Sequence, residues 1–112
     1  MELDVRTDES PDPYTVVAVA GELDVGLAPQ LRAQLAELID DGKTDIVVDL
    51  SAVEFIDSTG LGVLIGLLRR LRERGGDLKL VVTRPDILRI FEITGLGSEF
   101  CILDSLSGLS DP

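Results

Sequence analysis

The chain has 112 residues, is 45% apolar and 28% charged, and carries a formal net charge of −11. That length supports one domain with one modest core, and the composition is globular rather than disordered. The acidic balance argues against nucleic acid or an anionic membrane surface as a direct partner, because phosphates would be repelled; a basic or mixed-charge protein surface fits better.

In chain order, residues 1–7 alternate weakly through Leu3 and Val5, which predicts an edge strand, and residues 8–13 (Asp-Glu-Ser-Pro-Asp-Pro) read as a turn. Residues 14–20 (Tyr-Thr-Val-Val-Ala-Val-Ala) form a strand that closes at Gly21-Glu22-Leu23-Asp24, near enough to the first for a hairpin. Ala28-Pro29 opens a helix, since proline suits the first helical position; Leu31, Leu35, Leu38 and Ile39 make its buried stripe and Asp40-Asp41-Gly42 ends it. Residues 46–50 (Ile-Val-Val-Asp-Leu) read as an interior strand. Leu61, Val63, Leu64, Ile65, Leu67, Leu68 and Leu71 then recur at helical spacing until Arg72-Glu73-Arg74-Gly75-Gly76 stops the run. Residues 78–82 form another strand, and Pro85 starts a helix carrying Ile87, Leu88, Ile90, Phe91 and Ile93, halted at Gly95. Residues 100–103 make a short last strand.

The order β-β-α-β-α-β-α-β predicts a small α/β domain over residues 3–104. Its sheet is mixed, an N-terminal hairpin followed by strands alternating with helices, and residues 105–112 form a flexible tail. Residues 1–20 lack the basic start and apolar core of a secretory signal, and the longest uncharged stretch, 58–68, is far shorter than the about 20 apolar residues that span a membrane. A soluble, cytoplasmic protein is expected. The single cysteine, Cys101, sits in the apolar run Phe100-Cys101-Ile102-Leu103 and is expected to be a small buried hydrophobe.

The most informative block is Asp57-Ser58-Thr59-Gly60-Leu61-Gly62, between the Ile46 strand and an apolar helix. Asp or Ser just before such a helix is a typical N-cap, and a helix N-terminus accommodates negative charge, phosphate included. A serine hydroxyl there suits a reversible charge switch, although spacing alone favours a mere cap. Residues 1–57 hold 14 acidic and 3 basic side chains and residues 58–112 seven of each, so the acidic excess all precedes Ser58. Gly60, Gly62 and Gly66 in one helix suggest close packing against the sheet or against another protein. Arg69, Arg70, Arg72 and Arg74 read as a solvated helix end that suits the dipole.

The chain has no histidine. That removes Ser-His-Asp catalysis, histidine metal ligands and histidine phosphotransfer together. Ile56-Asp57-Ser58-Thr59-Gly60 lacks the leading glycine and the base of a nucleophile elbow, and there is no P-loop. One cysteine without histidine gives no zinc site. No catalytic residue, metal or cofactor is expected.

These features together resemble a STAS domain of the anti-sigma-factor antagonist type over about residues 3–104. The resemblance is carried by Gly21-Glu22-Leu23-Asp24, by Ala28-Pro29 and its Leu-rich helix, and by Ile46-Val47-Val48-Asp49-Leu50-Ser51. It extends through Phe55-Ile56-Asp57-Ser58-Thr59-Gly60-Leu61-Gly62-Val63-Leu64 and Phe91-Glu92-Ile93-Thr94-Gly95-Leu96. It implies that Ser58 is phosphorylated by a cognate anti-sigma factor, an ATP-dependent serine kinase. The unphosphorylated form would bind that kinase and free a sigma factor, and a phosphatase acting on phospho-Ser58 would reset the switch. Asp24, Asp57, Ser58, Thr59, Gly60 and Leu61 are carried over as partner-facing residues, with Thr59 a second hydroxyl beside Ser58. The resemblance leaves room for a weak homodimer. A STAS scaffold or transport-complex subunit without sigma-factor regulation stands as the alternative, because one fold serves several jobs. A small hydrolase using Asp57 and Ser58, or an aspartyl-phosphate receiver, lacks the groups its chemistry needs.

Overall fold

A computed structural model describes residues 4–9 and 14–105. In chain order these form β1 (Asp4–Glu9), β2 (Thr15–Leu23), α1 (Ala28–Asp40), β3 (Asp45–Ile56) and α2 (Ser58–Glu73). Next come β4 (Asp77–Val81), α3 (Pro85–Ile93), a 3-10 turn (Leu96–Ser98) and β5 (Cys101–Leu103). The five strands lie in sequence order; β1 runs antiparallel to β2, and every later pairing is parallel. The mixed sheet and the alternating order expected from the sequence are therefore present. The expected turn runs into β1 at Asp8 and Glu9. Its remainder, and the expected tail beyond Ser105, lie outside the described residues.

Each helix follows its strand and returns to the next strand in line. Right-handed crossovers that all advance in one direction place all three helices on one face of the sheet. Burial agrees with that layout. Leu31 and Leu35 of α1, Leu64, Leu68 and Leu71 of α2, and Ile87 and Phe91 of α3 share one core with Val17, Val48, Leu78 and Leu80 of the strands. On the opposite face Val16, Val47 and Val81 form a smaller cluster flanked by Tyr14 and Leu103. Phe91 meets Phe100 edge-on at 5.9 Å and closes the core beneath α3.

Two elements depart from the sequence reading, each for a physical reason. β3 does not stop at Leu50 but runs to Ile56, because its register against β2 shifts between Ala18 and Ala20 and again between Gly21 and Glu22. These bulges move the core-facing set to Leu50, Val53 and Ile56, a spacing of three that does not look like a strand. Gly21 sits at the second shift with φ 102°, a conformation an L side chain rarely adopts. Cys101 is exposed rather than buried. Alternation along the edge strand β5 sends Ile102 toward the helix layer and puts Cys101 with Leu103 on the other face.

Candidate functional site

β2 and β3 are parallel and pair Leu23 with Ile56 at their ends, so the loops that follow them leave from one edge of the sheet. β2 exits through Asp24. Its Oδ1 accepts hydrogen bonds from the backbone N–H of Gly26 (3.0 Å) and Leu27 (3.2 Å). Its carbonyl accepts from Leu27 (3.1 Å) and Ala28 (2.7 Å), which folds the chain into α1.

β3 exits through Asp57, the N-cap of α2, in extended backbone. Asp57 Oδ1 accepts from Thr59 N at 2.9 Å and Gly60 N at 3.1 Å, so one carboxylate oxygen satisfies two of the helix's orphan donors. The Asp57 N–H donates to the Leu23 carbonyl at 3.3 Å and ties the cap to the end of β2. Ser58 is then the first helical residue, exposed, and its hydroxyl makes no hydrogen bond among the described residues. Asp57 is therefore the cap and Ser58 is not. The helix N-terminus beneath Ser58 favours added negative charge there.

Gly60 lets this geometry close. A Cβ at that position would lie 2.5 Å from the Leu23 carbonyl oxygen and 2.9 Å from Leu23 Cγ, so only glycine lets α2 start against the end of β2. Of the six residues expected to face a partner, Asp24, Asp57, Ser58 and Thr59 reach the surface at this edge. Gly60 and Leu61 are buried, and they set the position of the helix rather than the surface it shows.

Two apolar side chains were not singled out by the sequence reading. Val25, beside Asp24, is 70% exposed, and Phe55, paired in register with Glu22, is 47% exposed. Both stand at the edge that carries Ser58. Large apolar groups held in water beside a polar rim are the composition of a protein-binding surface. Phe55 could have been noticed as an aromatic two residues before the cap, but the bulges upstream hide which way it points. Arg84 and Asp86 pair across the first turn of α3 through two 3.1 Å hydrogen bonds. The guanidinium holds the Asp86 carboxyl below its ordinary range. Among the described residues no cluster of His, Cys, Asp or Glu could hold a metal ion, and no helix is long and apolar enough to cross a membrane.

Comparison with known proteins agrees with this geometry. Residues 3–108 match the model of the STAS domain family. The anti-sigma-B factor antagonist of Staphylococcus aureus is 41% identical over 96 residues, covering 86% of this chain and 88% of that protein. Among solved structures, an anti-sigma factor antagonist from Mycobacterium paratuberculosis superposes with a TM-score of 0.86 at 31% identity, covering 96% of this chain and 90% of that one. The Bacillus cell fate determinant SpoIIAA in its phosphorylated form superposes with a TM-score of 0.73 at 25% identity, covering 95% and 96%. The chain belongs to the STAS domain family.

Proposed function

We propose that this chain is an anti-sigma-factor antagonist whose partner is controlled by phosphorylation at Ser58. The unphosphorylated form binds a cognate anti-sigma factor, an ATP-dependent serine kinase, in the bacterial cytoplasm and so releases a sigma factor. Phosphorylation ends that binding and a phosphatase restores it. The chain itself performs no catalysis in this scheme. The observation that carries the reading is the exposed, unbonded Ser58 hydroxyl at the first position of α2, beside an Asp57 whose Oδ1 already caps the helix. The names borne by the relatives point the same way. Thr59 is half-buried and one step further into the helix, which favours Ser58 as the acceptor.

A phosphoryl group adds about −1.5 to −2 charges and three acceptor oxygens. At a helix N-terminus it is tolerated, so the fold stays intact and the effect falls on the docking surface as bulk, desolvation and repulsion from acidic groups. A loss of about 4 kcal/mol weakens binding roughly a thousandfold. Affinity capture from the native lysate with Ser58→Ala and Ser58→Asp chains as parallel baits tests this. A serine kinase with an ATP site is retained by the Ala form and lost by the Asp form, while both keep the melting temperature of the unsubstituted chain. Equal retention of the kinase by both baits refutes the switch, and retention of transport or scaffold proteins by both selects the scaffold role.

A further inference from the structure

Beyond the edge that carries Ser58, a groove of about 490 Å³ runs between α1 and α2, with Thr59 at one end and Gly62, Val63 and Gly66 along it. Arg32 of α1 and Arg70 of α2 flank it. Thr59, Gly62, Gly66 and Arg70 are three or four residues apart and so share one face of α2, about 16 Å long.

Gly62 and Gly66 are both exposed, and a Cβ added at either would meet nothing within 4 Å. Glycine is among the poorest residues for a helix interior, and packing in this chain does not require it at either position. Gly60, in the same helix, is required. Glycines spaced by four on an exposed face allow another backbone to approach closely, which an alanine or leucine would prevent.

The charge of the groove runs against that of the chain. The net charge is −11, yet both flanking side chains are guanidinium groups. Arg32 has no carboxylate in ion-pairing range among the described residues. Arg70 lies 3.6 Å from Asp40, in a pair whose side chains are 41% and 68% exposed and which is free to exchange partners. A second copy of this chain fits poorly, since a symmetric pairing would bring these arginines together and set −11 against −11.

We propose that the α1–α2 groove docks an acidic amphipathic helix of a partner protein, its small or apolar face laid over Gly62, Val63 and Gly66 and its carboxylates paired with Arg32 and Arg70. The inference rests on the partner-binding reading of this chain and adds to it a second contact surface, which opens at Thr59, the neighbour of Ser58.

The test is an NMR titration of the 15N-labelled full chain. One probe is a capped synthetic helical peptide with Ala and Leu on one face and Glu on both flanks; the other is the same peptide with Lys in place of Glu. Amide shifts centred on Gly62, Val63 and Gly66 are expected with the acidic peptide, which binds at least tenfold tighter than the basic one despite the net charge of the chain. R32E combined with R70E reverses that preference. Gly66→Leu abolishes binding in a chain whose spectrum elsewhere is unchanged. Absence of shifts at the two glycines, or a preference unaffected by the arginine reversals, overturns the proposal. The peptides carry no kinase, so failure here leaves the Ser58 switch standing, and failure of that switch leaves the titration unaltered.

Discussion

Three glycines in α2 respond in opposite senses to the same substitution. At Gly60 an added Cβ would stand 2.5 Å from the Leu23 carbonyl oxygen, 2.9 Å from Leu23 Cγ and 3.0 Å from Ile56 Cγ1. The nearest obstacle is backbone, and that carbonyl also accepts the hydrogen bond from Asp57 N, so it cannot turn aside without releasing the cap. Relief requires α2 to move off the sheet at its first turn. Overpacking of this kind costs about 1–3 kcal/mol and a lost hydrogen bond about 1 more, against a gain of about 1 from replacing glycine by alanine in a helix. Gly60→Ala is therefore destabilising by about 1–3 kcal/mol. At Gly62 and Gly66 the same change meets open space, so only the helix-propensity gain remains, about 1 kcal/mol of stabilisation each. Urea denaturation followed by circular dichroism separates the two cases. With a slope of about 1.5 kcal/mol/M, the midpoint falls by roughly 0.7–2 M for Gly60→Ala and rises by about 0.7 M for each of the others. A stabilised Gly60→Ala chain, or a destabilised Gly62→Ala chain, would refute the assignment of α2's packed and open faces.

Two further outcomes are expected. Phe55→Ala removes an exposed aromatic beside Ser58, so it lowers affinity for the captured kinase by tenfold or more, as loss of an aromatic anchor does. The unfolding free energy from urea denaturation stays within about 0.5 kcal/mol of the unsubstituted chain, as for an exposed site; unchanged binding by calorimetry removes Phe55 from the interface. On the opposite sheet face, Lys79 donates a 2.7 Å hydrogen bond to the Tyr14 hydroxyl and lies 4.6 Å from its ring centroid. That hydrogen bond raises the Lys79 pKa above its ordinary value. Stabilisation from a raised pKa is complete below the unfolded value, about 10.4, and disappears as the pH climbs through the folded one. The stability difference between the unsubstituted chain and Tyr14→Phe should therefore shrink on alkaline titration, and a gap that widens above about pH 10 contradicts the pairing.

Much of the architecture could be read from punctuation in the sequence. Pro29 and Pro85 mark the starts of α1 and α3, and the stop at Gly95 falls where the chain turns with φ 77° after α3. A cap at Asp57 or Ser58 could be read from short polar side chains ahead of an apolar run, but which of the two supplies it is settled only by the backbone geometry, which gives it to Asp57. What escaped was set by register and by contacts between distant segments. The second half of β3 was invisible because the bulges space its inward residues by three, and the same bulges hid the exposure of Phe55. Cys101 looked buried because an apolar run carries no sign of lying on an edge strand. The groove joins Arg32 to Arg70 only once α1 and α2 lie side by side, a proximity that no local pattern announces.

The cap on α2 also decides what this molecule can do with a mark on Ser58. The two N–H groups that a newly attached anion would seek, those of Thr59 and Gly60, are already held by Asp57 Oδ1 at 2.9 and 3.1 Å. In the proposed switch a phosphoryl group on Ser58 would not need to displace that cap, so the start of α2 would keep both hydrogen bonds. The chain would then carry its mark as a sealed letter carries a stamp. Its own shape would stay silent, and the message would exist only for another molecule that presses against that edge.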